Sequence, residues 1–162
     1  MAIEIERKFL VNTDSFKQYE VLVTEEITQG YLTVDQQRSV RVRHSVVQNQ
    51  HVNATSGYIT IKGGSIGSSR EEYEYAIPPS DALKMLNLCT NCLEKTRWHV
   101  RIHGATWHID EFSGKNAGLR IAEIELKTED EYFQKPIWLD KEVTHDKRYS
   151  NANLAVNAWS HW

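Results

Sequence analysis

The chain reads as short segments in which apolar and polar positions alternate, separated by turn residues. In Ile3-Glu4-Ile5-Glu6-Arg7-Lys8-Phe9-Leu10, strand alternation puts Glu4, Glu6 and Lys8 on one side. Ile3, Ile5 and Phe9 fall on the other, with Arg7 the exception. The pattern recurs downstream. Residues 25–34 carry Gln29-Gly30-Tyr31-Leu32, residues 39–43 align Arg41 with Arg43, and residues 58–62 place Lys62 with Thr60 and Tyr58. Residues 70–77 alternate Glu72 and Glu74 with Tyr73 and Tyr75, and residues 94–103 align Lys95, Arg97, His99 and Arg101. His108 and Asp110 share a face in 106–112, as do Glu123, Glu125 and Lys127 in 119–127.

Helical signals are fewer. Asn12-Thr13-Asp14-Ser15 offers caps for a short helix through Phe16 and Tyr19. Ser80-Asp81, after Pro78-Pro79, caps another with Leu83, Met85 and Leu86 as its apolar stripe. The run from Gly63 to Ser69 lacks the Gly-Lys-Ser/Thr ending of a P-loop and reads as a hairpin connection. The tail from Thr128 reads as helical and irregular, broken by Pro136. The expected fold class is mainly β with flanking helices (α+β). Its eight strands in hairpin order predict an antiparallel sheet closed into a barrel, because closure removes the edges a long sheet exposes.

Which face the charges occupy decides what such a barrel can do. An ordinary small barrel keeps its apolar face inside and its charges in water. Here several strands carry one sign only: acids on the first, fifth and eighth, bases on the third and sixth. A merely soluble surface mixes its polar residues along each strand. The amphipathic helices also need an apolar sheet face to lie on, and the outside of the barrel is where they reach one. The charges are therefore expected inside, lining a wet tunnel, since even one unpaired ion in a dry interior costs several kcal/mol. Acids on part of the wall and bases on the rest suit a polyanion carried with a divalent metal. Two carboxylates at i and i+2, about 7 Å apart at Cα, can reach one hard cation. The planar fork of arginine suits phosphate oxygens.

Composition adds mainly exclusions. At 162 residues the chain is long enough for one domain, 1–162, with its own core. A net charge of −3 with interspersed signs argues against a nucleic-acid or membrane-surface partner. No signal-peptide pattern follows Met1 and no apolar run is long enough for a membrane span, so the expected address is cytoplasmic. Cys89 and Cys92 form an isolated C-x-x-C at a helix end, read as two reduced thiols in preference to a redox pair or half a zinc site. The five tryptophans are expected to pack and not to stack on bases.

With these residues in place, Glu4-Ile5-Glu6-Arg7-Lys8 resembles the ExExK signature of the CYTH superfamily, the triphosphate tunnel metalloenzymes. The likeness covers nearly the whole chain: Arg41 and Arg43 as R-x-R, Lys62 as the lone strand lysine, Glu72-Tyr73-Glu74 as the acidic fifth strand. Lys95-Thr96-Arg97 follows as K-x-R, Glu123-Ile124-Glu125 as the late E-x-E, and residues 142–149 resemble the closing segment of small bacterial members. One departure is a longer polar loop over 46–56. The resemblance implies Mg²⁺- or Mn²⁺-dependent hydrolysis of a triphosphate, with inorganic tripolyphosphate the first choice of substrate. Glu4, Glu6, Glu123 and Glu125 are then the metal ligands. Asp110 is placed with them, orientation of a lysine being its alternative role. Lys8, Arg41, Arg43, Lys62, Lys95 and Arg97 line the phosphate path. Members with a Gly-Tyr-Leu second strand pair such a tyrosine with the K-x-R lysine, which makes Tyr31 and Lys95 the expected water-activating pair; a tunnel-wall tyrosine bonded to a lysine is the structural alternative. Other functions open at this point are a nucleoside or thiamine triphosphatase, a class IV-type adenylate cyclase, and a non-catalytic binder of polyphosphate or nucleotide. A homodimer is a further possibility.

Overall fold

The structure is a computed structural model describing residues 5–35, 38–48, 53–66 and 69–162. Glu4 of the signature lies outside the described residues, as do positions 49–52 of the polar loop and 67–68 of the glycine-rich turn. The strands are β1 (Ile5–Val11), β2 (Glu20–Val34), β3 (Ser39–Gln48), β4 (Asn53–Ile66) and β5 (Ser69–Ile77), then β6 (Asn91–Ile102), β7 (Ala105–Phe112), β8 (Arg120–Leu126) and β9 (Leu139–Glu142). Two α-helices, α1 (Pro79–Leu86) and α2 (Asn151–Val156), complete the regular elements with short 3-10 turns. Among the described residues, no helix is long and apolar enough to cross a membrane.

The strands form one antiparallel sheet in the order β5-β4-β3-β2-β6-β7-β8-β1-β9. The eight expected strands are present. The ninth, β9, occupies the tail where helix was expected, and pairs with β1 at Phe9 and Val11. No ring-closing pair is found among the described residues, but one cavity is lined both from β1 and from β5, seven places apart in the strand order. The sheet therefore curls until its flanks face each other across a bore.

Register separates the two faces. Phe9, Ala122, Ile109 and Trp98 stand side by side on β1, β8, β7 and β6, facing outward. One residue along, Lys8, Glu123, His108 and His99 stand side by side facing inward. A one-residue slip would exchange the sets, so burial of the outer face fixes the inner one. That outer face is the main core: Phe9, Val100, Trp107, Ile109, Ala122 and Ile124 pack beneath Phe16 and Trp138. Trp107 meets Trp138 edge-on at 5.8 Å and Phe9 in a tilted pair at 6.0 Å, aromatic geometry that adds to plain burial. The tryptophans Trp98, Trp107 and Trp138 are thus packing residues, as expected.

Local differences have local causes. Pro78, not Ser80 or Asp81, occupies the N-cap of α1, and no side chain caps it; Pro79 sits in the first turn. The buried contact of α1 is Ala82, whereas Leu83 is half exposed. Ala82 fits because Gly57 lies beneath it: a Cβ there would come within 2.9 Å of the Ala82 Cβ. The β6–β7 hairpin turns on His103 and Gly104, both at positive φ, the conformation that suits the twist of a two-residue connection.

Candidate active site

The inner face carries a chain of ion pairs running from β6 to β1. Lys95 Nζ donates to Asp110 Oδ2 at 2.5 Å. Arg97 grips the same carboxylate with two bonds, Nε to Oδ1 at 2.7 Å and Nη2 to Oδ2 at 2.8 Å, and reaches Glu123 at 2.9 Å. Lys8 then bridges Glu123 at 3.1 Å and Glu6 at 3.0 Å. On the opposite flank, Arg41 donates to Thr60 at 2.9 Å and Glu74 at 3.2 Å, while Lys62 pairs with Glu72 at 2.7 Å. Between the flanks lies a cavity of about 320 Å³ bounded by these side chains except Lys95, Asp110 and Thr60, and by Tyr31 and Arg43.

Burial works against charge on Lys8, Arg43, Lys95, Arg97, Asp110 and Glu123, and their neighbours decide the outcome. Lys8 and Arg97 are raised despite burial, Lys8 by Glu123 and Glu6, Arg97 by Asp110 and Glu123. Burial alone would lift Asp110, but Arg97 and Lys95 hold it far below the usual carboxylate range. Glu123 is likewise held low by Lys8 and Arg97. Two bases go the other way. Burial takes Lys95 down to about 8, with Asp110 only partly offsetting it. Burial, then Arg41 and Arg97, takes Arg43 down to about 10. The Nε atoms of Arg41 and Arg43 are buried without a hydrogen-bond partner among the described residues. A cluster of cations with unsatisfied donors is prepared for an anion with several oxygens.

The cavity gathers most of the expected site residues: Glu6, Lys8, Tyr31, Arg41, Arg43, Lys62, Arg97, Glu123 and Glu125. Lys95 and Asp110 do not line it. Lys95 is 1 % exposed and Asp110 wholly buried, both behind the wall. Both Asp110 oxygens are engaged, Oδ1 by Arg97 and Oδ2 by Arg97 and Lys95. Tyr31 Oη accepts from Gln29 Nε2 at 3.1 Å, whereas Lys95 has Asp110 and Asn151 as partners, so the two members of the expected pair are held separately. His99 lies within 3.3 Å of Glu25 and packs its ring on His108 at 4.6 Å, further along the same inner face.

Whether the site suits a metal can be judged from its donors. Glu6 and Glu125 are direct register partners on β1 and β8, both facing the cavity. Opposed residues in such a pair lie about 5 Å apart at Cα. Two carboxylates at this spacing are hard oxygen donors that fit a divalent cation such as Mg²⁺. No preassembled group of three or more ligating side chains occurs among the described residues, and Glu4 lies outside them.

Sequence reasoning missed the contribution of the tail. Ser150, Asn151 and Ala152, at the start of α2, form one wall of the cavity. The available signal was the likeness of the closing segment, which ended just short of them. Thr60 was also missed as a bridge between Arg41 and Glu74, to which it donates at 2.8 Å.

Comparison with known proteins agrees with this geometry. The family model described as "CYTH domain" matches residues 2–157. The chain is 44 % identical to an inorganic triphosphatase of Acetivibrio thermocellus, covering 100 % of this chain and 99 % of the relative. It is 36 % identical to an inorganic triphosphatase of Nitrosomonas europaea over 95 % of this chain and 97 % of that one. A crystal structure of an inorganic triphosphatase superposes with a TM-score of 0.67 at 31 % identity, covering 96 % of each chain. A charged bore lined by the signature strands and a match spanning almost every residue lead to one conclusion: this chain belongs to the CYTH family.

Proposed function

We propose that residues 1–162 act as one metal-dependent inorganic triphosphatase that cleaves tripolyphosphate with water to pyrophosphate and orthophosphate. The observation that carries the reading is the shared cavity: acids and bases from both flanks of the sheet surround about 320 Å³, and the buried Nε of Arg43 has no partner among the described residues. Full-length similarity to two inorganic triphosphatases supports the same substrate class. Phosphoryl transfer asks for positioning and charge neutralisation more than for covalent chemistry, and this site supplies both.

Glu6 and Glu125 would hold the divalent cation, Mg²⁺ or Mn²⁺, together with Glu123 of the same cavity wall and Glu4, which lies outside the described residues. When bound, such an ion polarises phosphate oxygens and lowers the pKa of a coordinated water. Lys8, Arg41, Arg43, Lys62 and Arg97 bind the chain of phosphates, hold it in line for attack and neutralise the leaving pyrophosphate. Asp110 keeps Arg97 and Lys95 in place. Lys95, taken down to about 8 chiefly by burial, is a base able to take a proton at Nζ once the pH passes that value, and the buried Tyr31 hydroxyl orients groups in the cavity. The two free cysteines fit a reducing, cytoplasmic setting.

Phosphate release from tripolyphosphate, ATP and thiamine triphosphate, measured with Mg²⁺, with Mn²⁺ and in EDTA, tests the proposal. The expected result is metal-dependent turnover with tripolyphosphate well ahead. Preference for a nucleotide, or formation of cyclic AMP from ATP, moves the assignment to another triphosphate chemistry. Binding without turnover under every condition overturns it.

A further inference from the structure

Lys95 is walled off from the cavity, so some other group must join it to the bound substrate, and the structure contains one. Asn151 lines the cavity from the first turn of α2, and its Oδ1 accepts from Lys95 Nζ across 3.4 Å. In its ammonium form Lys95 has only donors, so the amide oxygen faces it there. The amide nitrogen is thereby turned away from it, carrying two N–H donors with no partner among the described residues. A donor pair at the wall of a cation-lined cavity suits a phosphate oxygen.

The segment is held firmly enough to serve. Ser150 Oγ caps α2 by accepting from the Asn153 N–H. Asn116, in the β7–β8 connection, donates to the Leu154 carbonyl at 3.2 Å and accepts from the Trp159 N–H at 2.8 Å. Leu154 itself is buried among Leu93, Phe112, Leu119 and Ile121. These contacts fix α2 against the barrel wall from two sides, so the position of the Asn151 backbone does not depend on its own side-chain bond, while the bond to Lys95 sets which way its amide faces.

Resting on the triphosphatase reading above, we infer that Asn151 is a further substrate-binding residue: it donates Nδ2–H to a phosphate oxygen of the bound triphosphate while its Oδ1 orients Lys95. The C-terminal helix is then part of the binding site and not only a cover over it.

Two variants of the full chain test this, Asn151→Ala and the isosteric Asn151→Asp, each checked by circular dichroism and thermal unfolding. Tripolyphosphate binding is followed by isothermal titration in EDTA, where metal-dependent turnover is absent, and KM and kcat are measured with Mg²⁺. Loss of one hydrogen bond to a charged acceptor weakens binding roughly ten- to hundredfold, so Asn151→Ala should raise Kd and KM by about that factor. Asn151→Asp keeps the shape but faces phosphate with a carboxylate. It should bind more weakly than the alanine variant while unfolding at a temperature close to wild type. A wild-type protein that binds and hydrolyses tripolyphosphate, with both variants equal to it in Kd and KM, overturns this inference and leaves the function standing. A wild-type protein that does neither removes the function itself, and this inference with it.

Discussion

Replacing Asp110 by Asn separates two roles that a buried acid could have here. The carboxylate is wholly buried, and both its oxygens are engaged, by Lys95 at 2.5 Å and by Arg97 at 2.7 and 2.8 Å. Asparagine keeps the shape but leaves Lys95 and Arg97 with Glu123 as the remaining carboxylate in their network. Breaking a buried ion pair by removing one partner costs about 3–5 kcal/mol. For a domain of this size each kcal/mol lowers the unfolding temperature by about 2–4 °C, so Asp110→Asn should unfold roughly 6–20 °C earlier. The loss should be the same in EDTA and in Mg²⁺, because the partners are side chains. It should also narrow in acid. The folded pKa of Asp110 is depressed: burial opposes this, but Arg97 and Lys95 outweigh burial. Its stabilising contribution is therefore complete above the unfolded pKa of about 3.9 and disappears as pH falls toward the folded value. Thermal unfolding by circular dichroism from pH 3 to pH 7, with and without metal, measures all three effects. A variant within about 2 °C of wild type in EDTA that no longer gains stability from Mg²⁺ would mark Asp110 as a metal ligand and refute the reasoning.

Two other perturbations probe separate parts of the molecule. If neutral Lys95 accepts a proton during turnover, kcat with tripolyphosphate should rise with pH through about 8 and then level, and a profile flat from pH 7 to 9 removes that role. In the same window the unfolded chain keeps a proton that the folded one has lost, so the contribution of Lys95 to stability grows with pH up to about 10.4. Arg7 points outward and makes a two-pronged bond to Glu142, at 2.8 and 2.5 Å, that ties the tail to β1. Arg7→Ala should cost about 1 kcal/mol, a shift of about 2–4 °C, and leave KM and kcat unchanged; altered kinetics would show that the tail contact reaches the cavity.

Most of the inner face was legible because a strand has a period of exact alternation and the charges obey it. Lys8, Arg41, Arg97 and Glu123 could be assigned to one surface from spacing alone, and one-signed strands indicated that this surface was the inside. Depth was not legible. Lys95 and Arg97 occupy equivalent positions in the alternation, yet Arg97 reaches the cavity and Lys95 is sealed behind it. That difference comes from α2, more than 50 residues downstream, packing over β6. Arg7 looked anomalous because its partner, Glu142, lies 135 positions away. β9 was read as part of a helical tail because four residues beside a proline carry no alternation long enough to recognise. In each case the missing information is a long-range contact that leaves no local period.

The disposition of charge explains how such a bore stays open without substrate. Were the bases alone, desolvation and mutual repulsion would work against their charge unopposed, the direction in which burial, then Arg41 and Arg97, already take Arg43. Were the acids equal partners for every base, a phosphate chain would find its donors satisfied. The structure lies between these limits. Asp110 and Glu123 tie Lys95, Arg97 and Lys8 into a fixed wall, whereas Arg43 retains a buried Nε unsatisfied among the described residues and Glu125 projects into the cavity from an exposed position. The paired groups set the shape, and the unsatisfied ones set the affinity for an anion and its cation. An incoming triphosphate completes this arrangement without having to dismantle it, so the binding energy is available for holding the phosphates in line.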